Sequence, residues 1–220
     1  FIDISLNSAH HINPFDLGEV GEEDDPADIF RSNVISLMGL LRIMVGRTSI
    51  TSAGPELTPE EEAILNRALI ETYALKDITP NQDFSGKTPP LLHDLVIILE
   101  GIEGGHSLAT RLEKYTKGIF AGFLDKHTNV NLKQLVVFNI RDMEDDLRPI
   151  AMYIILHYIW NTVRANLKKR LLIIDEAWWL MKHESGASFL SGMIKRARKY
   201  YLGVTTITQD ITDFLKSEYG

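Results

Sequence analysis

The chain has 220 residues, 45% of them hydrophobic and 24% charged, an ordinary globular balance with no disordered or collagen-like bias. Its net charge of −7 withholds the positive footprint of a typical nucleic-acid binder, and the absence of cysteine excludes disulfides, zinc–thiolate sites and thiol catalysis. No apolar stretch approaches the ~20 residues needed to cross a bilayer; the longest, Ala151 to Trp160, is interrupted by His157 and reads as a buried helix.

In chain order, Phe1 to Ser5 (FIDIS) alternates like a strand, and Asn13-Pro14-Phe15-Asp16 reads as a turn. Glu19 to Asp28 is an acidic loop. Ala27 to Val45 carries apolar residues at helical spacing and stops at Gly46. Thr58, Pro59 and Glu61 form a capping-box signature that opens a second helix, with Ile64, Leu65, Ala68, Leu69 and Tyr73 on its apolar face. A loop from Asp77 to Pro90 leads to a short helix, Leu91 to Leu99. The turn Gly101 to Gly105 and a further helix, about Ser107 to Phe120, follow. Residues 27–130 thus read as a mostly helical insertion between sheet-forming parts at 1–26 and 131–220.

From Leu135 the pattern changes. Leu135 to Ile140 (LVVFNI) reads as a strand, Glu144 to Leu167 as a long helix, Leu171 to Ile174 as a strand, Ser188 to Tyr201 as a helix and Gly203 to Thr208 as a strand. Strands alternating with helices call for parallel pairing through right-handed crossovers. The fold class expected is α/β with a mostly parallel sheet.

The run LLIIDEAWWLM, 171–181, concentrates the chemistry. Its four apolar residues read as a strand buried on both faces. Asp175 and Glu176 cannot also be buried without partners, so they belong at the strand's mouth, where open α/β sheets bind ligands. An apolar strand ending in Asp-Glu is the second nucleotide motif (Walker B) of P-loop ATPases. There the Asp helps hold Mg²⁺ and the Glu takes a proton from the water attacking the γ-phosphate of ATP. The plainer alternative is a core strand that exits into an acidic loop.

Some of the other candidates have two readings. Gln209 ends the next strand, either orienting water at a γ-phosphate or simply capping residues 211–215. Arg196 and Arg198 lie in a basic stretch with Lys195 and Lys199, as an arginine finger for a neighbouring subunit or as a solvated helical face. Lys168 to Arg170 reads as a solvated helix end. Ser85-Gly86-Lys87-Thr88 imitates the end of a phosphate-binding loop, but the first glycine of that pattern falls on Asn81. No strand precedes it, and Pro89 and Pro90 follow where a helix is needed; it reads as loop. The seven histidines show no metal-ligand spacing; His10 and His11 read as loop residues and His157 as structural. Trp178 and Trp179 read as packing between the Asp-Glu strand and the next helix, or one of them as a stacking surface for a base or a partner.

LLIIDEAWWLM, KRARKYYLGVTTITQD, ITDFLKSEYG, INPFDL, LVVFNIRDME and DLRPIAMYIILHYIW together resemble the C-terminal ATPase domain of the VirB-four (TraC-like) family of type IV secretion and conjugation ATPases. The resemblance spans nearly the whole chain and is strongest from Leu135 to Tyr219. It implies a RecA-like P-loop NTPase core with an inserted all-α subdomain. It also implies ATP hydrolysis with Mg²⁺, a hexamer, docking on inner-membrane channel proteins and a place on the cytoplasmic face of the membrane. It casts Asp175 and Glu176 as the Walker B pair, Gln209 in a Thr-Gln segment and Arg196 or Arg198 in the basic segment. The family's Gly-rich Lys loop lies upstream of FIDIS, so these residues alone are expected to be a fragment that binds ATP poorly. Two alternatives stand beside the secretion motor: a DNA-translocating hexameric ATPase of the FtsK or HerA kind, and a non-catalytic docking module.

Overall fold

The computed structural model describes residues 1–20, 25–46, 57–118, 120–132 and 135–208. Helix starts follow local chemistry. Asp25 accepts the Ala27 N–H at 2.9 Å and caps α1 (Pro26–Val45). At α2 (Pro59–Ala74) the capping box forms in both directions. Thr58 Oγ1 accepts the Glu61 N–H at 3.2 Å, and Glu61 Oε2 accepts the Thr58 N–H at 2.9 Å. At α3 (Leu92–Gly101) the Asp94 carboxylate accepts the Leu91 N–H at 2.8 Å.

The next helix is shorter than its periodicity suggests. It divides into α4 (His106–Thr116) and α5 (Ala121–Leu124). The break falls at Gly118, whose N–H turns back to the Glu113 carbonyl at 3.1 Å and where a Cβ would crowd the Lys114 backbone. Likewise α6 (Arg148–Ala165) begins four residues later than expected. The Leu147 and Arg148 N–H groups first turn back to the Glu144 carbonyl, and Pro149 occupies the first turn, where its missing N–H costs nothing.

After α6 come β3 (Arg170–Ile174), α7 (Trp178–Met181), α8 (Glu184–Ala197), a 3₁₀ turn over Arg198–Tyr200, and β4 (Leu202–Thr206). Strand β1 (Ile2–Asp3) pairs in parallel with β2 (Phe138–Asn139), and β3 pairs in parallel with β4 from Arg170↔Leu202 to Ile174↔Thr206. The expected parallel sense holds. The expected single sheet does not: the described strands form two separate two-stranded sheets. Nor is β3 covered on both faces. Its alternation puts Ile174 inward, while Leu171 and Ile173 are 67% and 58% exposed.

One apolar core runs from Ile4 to Leu202. Helix α1 packs against α6 and α8 as well as α2 and α4, so the helical stretch shares that core with the strand-bearing part. Phe15, Leu37, Leu65, Leu69, Tyr73 and Leu95 are fully buried, each side chain contributing about 1.5–3 kcal/mol by its removal from water. Among the described residues no helix is long and apolar enough to cross a membrane.

Candidate functional site

A trough of about 1810 Å³ is lined both by β2 of one small sheet and by β3 of the other. Residues Met152, Ile155, Leu156 and Ile159 of α6 line it, with Leu135 to Arg141 of the β2 segment and Arg170 to Glu176 of the β3 segment. Small-molecule sites are usually roughly 300–1,000 Å³, so this space holds more than a nucleotide-sized ligand needs.

Asp175 and Glu176 follow directly on the carboxyl end of β3, and both line the trough. Asp175 is exposed; its Oδ1 accepts the Glu176 N–H at 3.0 Å. Glu176 has φ 52°, the left-handed region that a side chain other than Asn or Asp seldom adopts. Surrounding bonds hold it there. The Glu176 carbonyl accepts the Trp179 N–H at 3.1 Å, and the Ala177 N–H reaches the Ile207 carbonyl at 3.3 Å, tying this turn to the end of β4. Backbone held in a sparsely populated region by several contacts is a mark of functional turns. Nothing in the letters Asp-Glu signals that conformation.

The aromatic pair after the carboxylates does more than pack. Trp178 and Trp179 stack with ring centroids 4.4 Å apart at 28°. Lys182 Nζ lies 4.2 Å from the Trp178 ring and 4.1 Å from the Trp179 ring, and the Arg148 guanidinium lies 5.1 Å from the Trp179 ring. Trp178 Nε1–H donates to Glu176 Oε2.

The trough's charge is mixed. Arg141, Arg148 and the run Lys168, Lys169, Arg170 line it. Helix α6 ends at Ala165, so this run forms the linker into β3 and the strand's first residue, where a solvated helix end was expected. Asp16 also lines the trough; burial pushes its carboxyl above the usual range, against an opposing hydrogen bond from Thr128 and the nearby His127. Asp16 carries no signal of its own in the sequence, where Asn-Pro-Phe-Asp reads as a turn. His157, 5% exposed, lies in the trough's wall, and burial, with Arg164 nearby, lowers its imidazole to about 4.

The remaining sequence candidates lie elsewhere. Arg196 is on α8, its Nε donating to the Gly192 carbonyl at 2.9 Å and its guanidinium 5.6 Å from the Trp160 ring. Arg198 opens the 3₁₀ turn and is exposed. Neither lines the trough that holds Asp175 and Glu176. Gln209 lies outside the described residues. Lys87, in the imitation phosphate loop, donates to the Asp77 carbonyl from a turn, with no strand before it.

Among the described residues no three His, Cys, Asp or Glu side chains gather as a metal site. Mg²⁺ is commonly bound by one or two carboxylates with substrate phosphates completing its shell, and the exposed Asp175 carboxylate on an open trough fits that chemistry.

The model of the TraG P-loop domain matches residues 106–219, just over half of the chain and a range that contains Asp175, Glu176, Arg196, Arg198 and Gln209. The solved structure of VirB4 of Thermoanaerobacter pseudethanolicus is similar in fold, with TM-score 0.80 and 23% sequence identity. The match covers 99% of this chain and 59% of that one, so the present chain spans less than two thirds of the length of that structure. No curated protein matches the chain.

Proposed function

This chain belongs to the TraG P-loop domain family, and on that premise we propose that it is part of an ATP-hydrolysing motor of a type IV secretion or conjugation system. The observation that carries the reading is the placement of Asp175 and Glu176 side by side on one trough, at the carboxyl end of a parallel strand. The likeness in fold to a VirB4 structure supports it.

Asp175 would hold Mg²⁺, which when bound draws charge from the phosphates. Glu176 would take a proton from water as the water oxygen attacks the γ-phosphorus of ATP and the bond to the ADP oxygen breaks. Gln209 would orient that water. Because Arg196 and Arg198 lie away from the trough, either would serve phosphate only across a subunit boundary, which makes a ring, of six subunits in this reading, part of the proposal. The motor would work on the cytoplasmic face of the inner membrane, docked on channel proteins, and move protein, pilus subunits or DNA.

The test is Mg²⁺-dependent ATP hydrolysis by the full-length protein, with and without DNA. Turnover that does not need DNA supports the secretion motor. Turnover that appears only with DNA, with salt-sensitive binding, favours a DNA translocase. No turnover in the presence of the secretion-channel proteins favours a docking module.

A further inference from the structure

Glu176 is held by more than its backbone. Its side chain is joined to Trp178, two residues on, through the indole N–H. The indole in turn is clamped. Trp179 stacks on it, and Lys182 lies over both rings within 4.2 Å of each centroid. A cation above an indole face is attracted by the ring and polarises it, which strengthens the N–H as a donor. A donor whose ring is pinned on its face has little freedom to follow a moving carboxylate.

The clamp extends to a second lining residue of the trough. Arg148, at the start of α6, lies over Trp179, donates its Nε–H to the Met143 carbonyl at 3.1 Å and pairs with Asp145 at 3.0 Å. Residues after β2 and residues after β3 are thereby joined through one chain of contacts: Met143, Arg148, Trp179, Trp178, Glu176. The elements at its two ends line the same trough, and Glu176 is among the lining residues.

We propose that Trp178 is a positioning residue for Glu176: its clamped N–H fixes the carboxylate's orientation at the trough, and the Arg148–Trp179 contact transmits the position of the β2 loop to it. The inference rests on the proposed role of Glu176 as acceptor of the water's proton. Orientation of a reacting group is worth a large factor in rate, because a displacement of about 1 Å costs up to roughly 100-fold. Loss of the N–H therefore lowers the rate of the chemical step and leaves substrate binding alone.

The experiment uses the full-length protein with the tryptophan analogue in which sulfur replaces the ring N–H, incorporated at position 178, and Trp178→Phe beside it. The analogue keeps the stack and the cation contact and removes only the donor. The expected result is a fall in kcat of about ten-fold or more with KM for ATP within about two-fold of the unsubstituted protein, and an unchanged melting temperature for the analogue. Arg148→Met is expected to lower kcat in the same way and to add nothing in the analogue background. A kcat equal to that of the unsubstituted protein in the analogue overturns the proposal, and so does a rise in KM with kcat intact. If the unsubstituted protein turns over ATP and Glu176→Gln stops it while the analogue is fully active, this inference fails alone. If the unsubstituted protein shows no turnover, the functional reading fails and takes this inference with it.

Discussion

The Tyr73 hydroxyl donates to the Phe15 carbonyl at 2.8 Å and accepts from Asn33 Nδ2 at 2.6 Å, joining α2, α1 and the turn after β1 in one buried network. Burial, with Asp16 close by, holds the Tyr73 hydroxyl well above its ordinary range, so it stays a neutral donor. Tyr73→Phe strands both partners, and among the described residues Asn33 Oδ1 already has no hydrogen-bond partner. The expected cost is about 2 kcal/mol of unfolding free energy, read from urea titration. An unchanged midpoint would show that the network contributes nothing net.

His157 makes stability depend on pH. Its folded value, about 4, lies below the ordinary imidazole value of 6.5, so between those two the unfolded chain takes up a proton that the folded chain refuses. The contribution is complete above pH 6.5 and is lost as pH falls towards 4. Between pH 7.5 and 5.0 the native chain is expected to lose about 2 kcal/mol more than a His157→Gln variant. Parallel pH profiles for the two would remove His157 from the acid response.

Gly39 marks where α1 meets α6. A Cβ there would collide with the Tyr153 hydroxyl, which donates to the Ser36 carbonyl at 2.9 Å. Gly39→Ala is expected to destabilise by about 1–3 kcal/mol through overpacking. Gly101→Ala, at the end of α3 with open space around it, is expected to be neutral or slightly stabilising, by up to about 1 kcal/mol. Thermal melts of the two variants separate the effects, and equal shifts would contradict this picture of the α1–α6 contact.

Local chemistry was the most legible layer of the sequence. The Thr58–Glu61 capping box, the parallel sense of the strands and the position of Asp175 and Glu176 after a strand all follow from short-range signals, and all are present. Other features depend on contacts distant in sequence. The exposure of Leu171 and Ile173 reflects what covers β3, and an apolar run does not record that. The left-handed turn at Glu176 is held partly by Ile207, 31 residues on. Trp178 read as packing because an indole's apolar bulk dominates a pattern, while its single N–H leaves no trace in periodicity. Lys168 to Arg170 read as a helix end because the stop of α6 at Ala165 has no Gly or Pro to announce it.

The central claim is that Glu176 manages the water that attacks ATP. The measurement is single-turnover and steady-state ATP hydrolysis by the full-length protein carrying Glu176→Gln, alongside its affinity for ATP. Turnover is expected to fall by about 100-fold or more while ATP affinity stays within about two-fold. Turnover equal to that of the unsubstituted protein would contradict the claim.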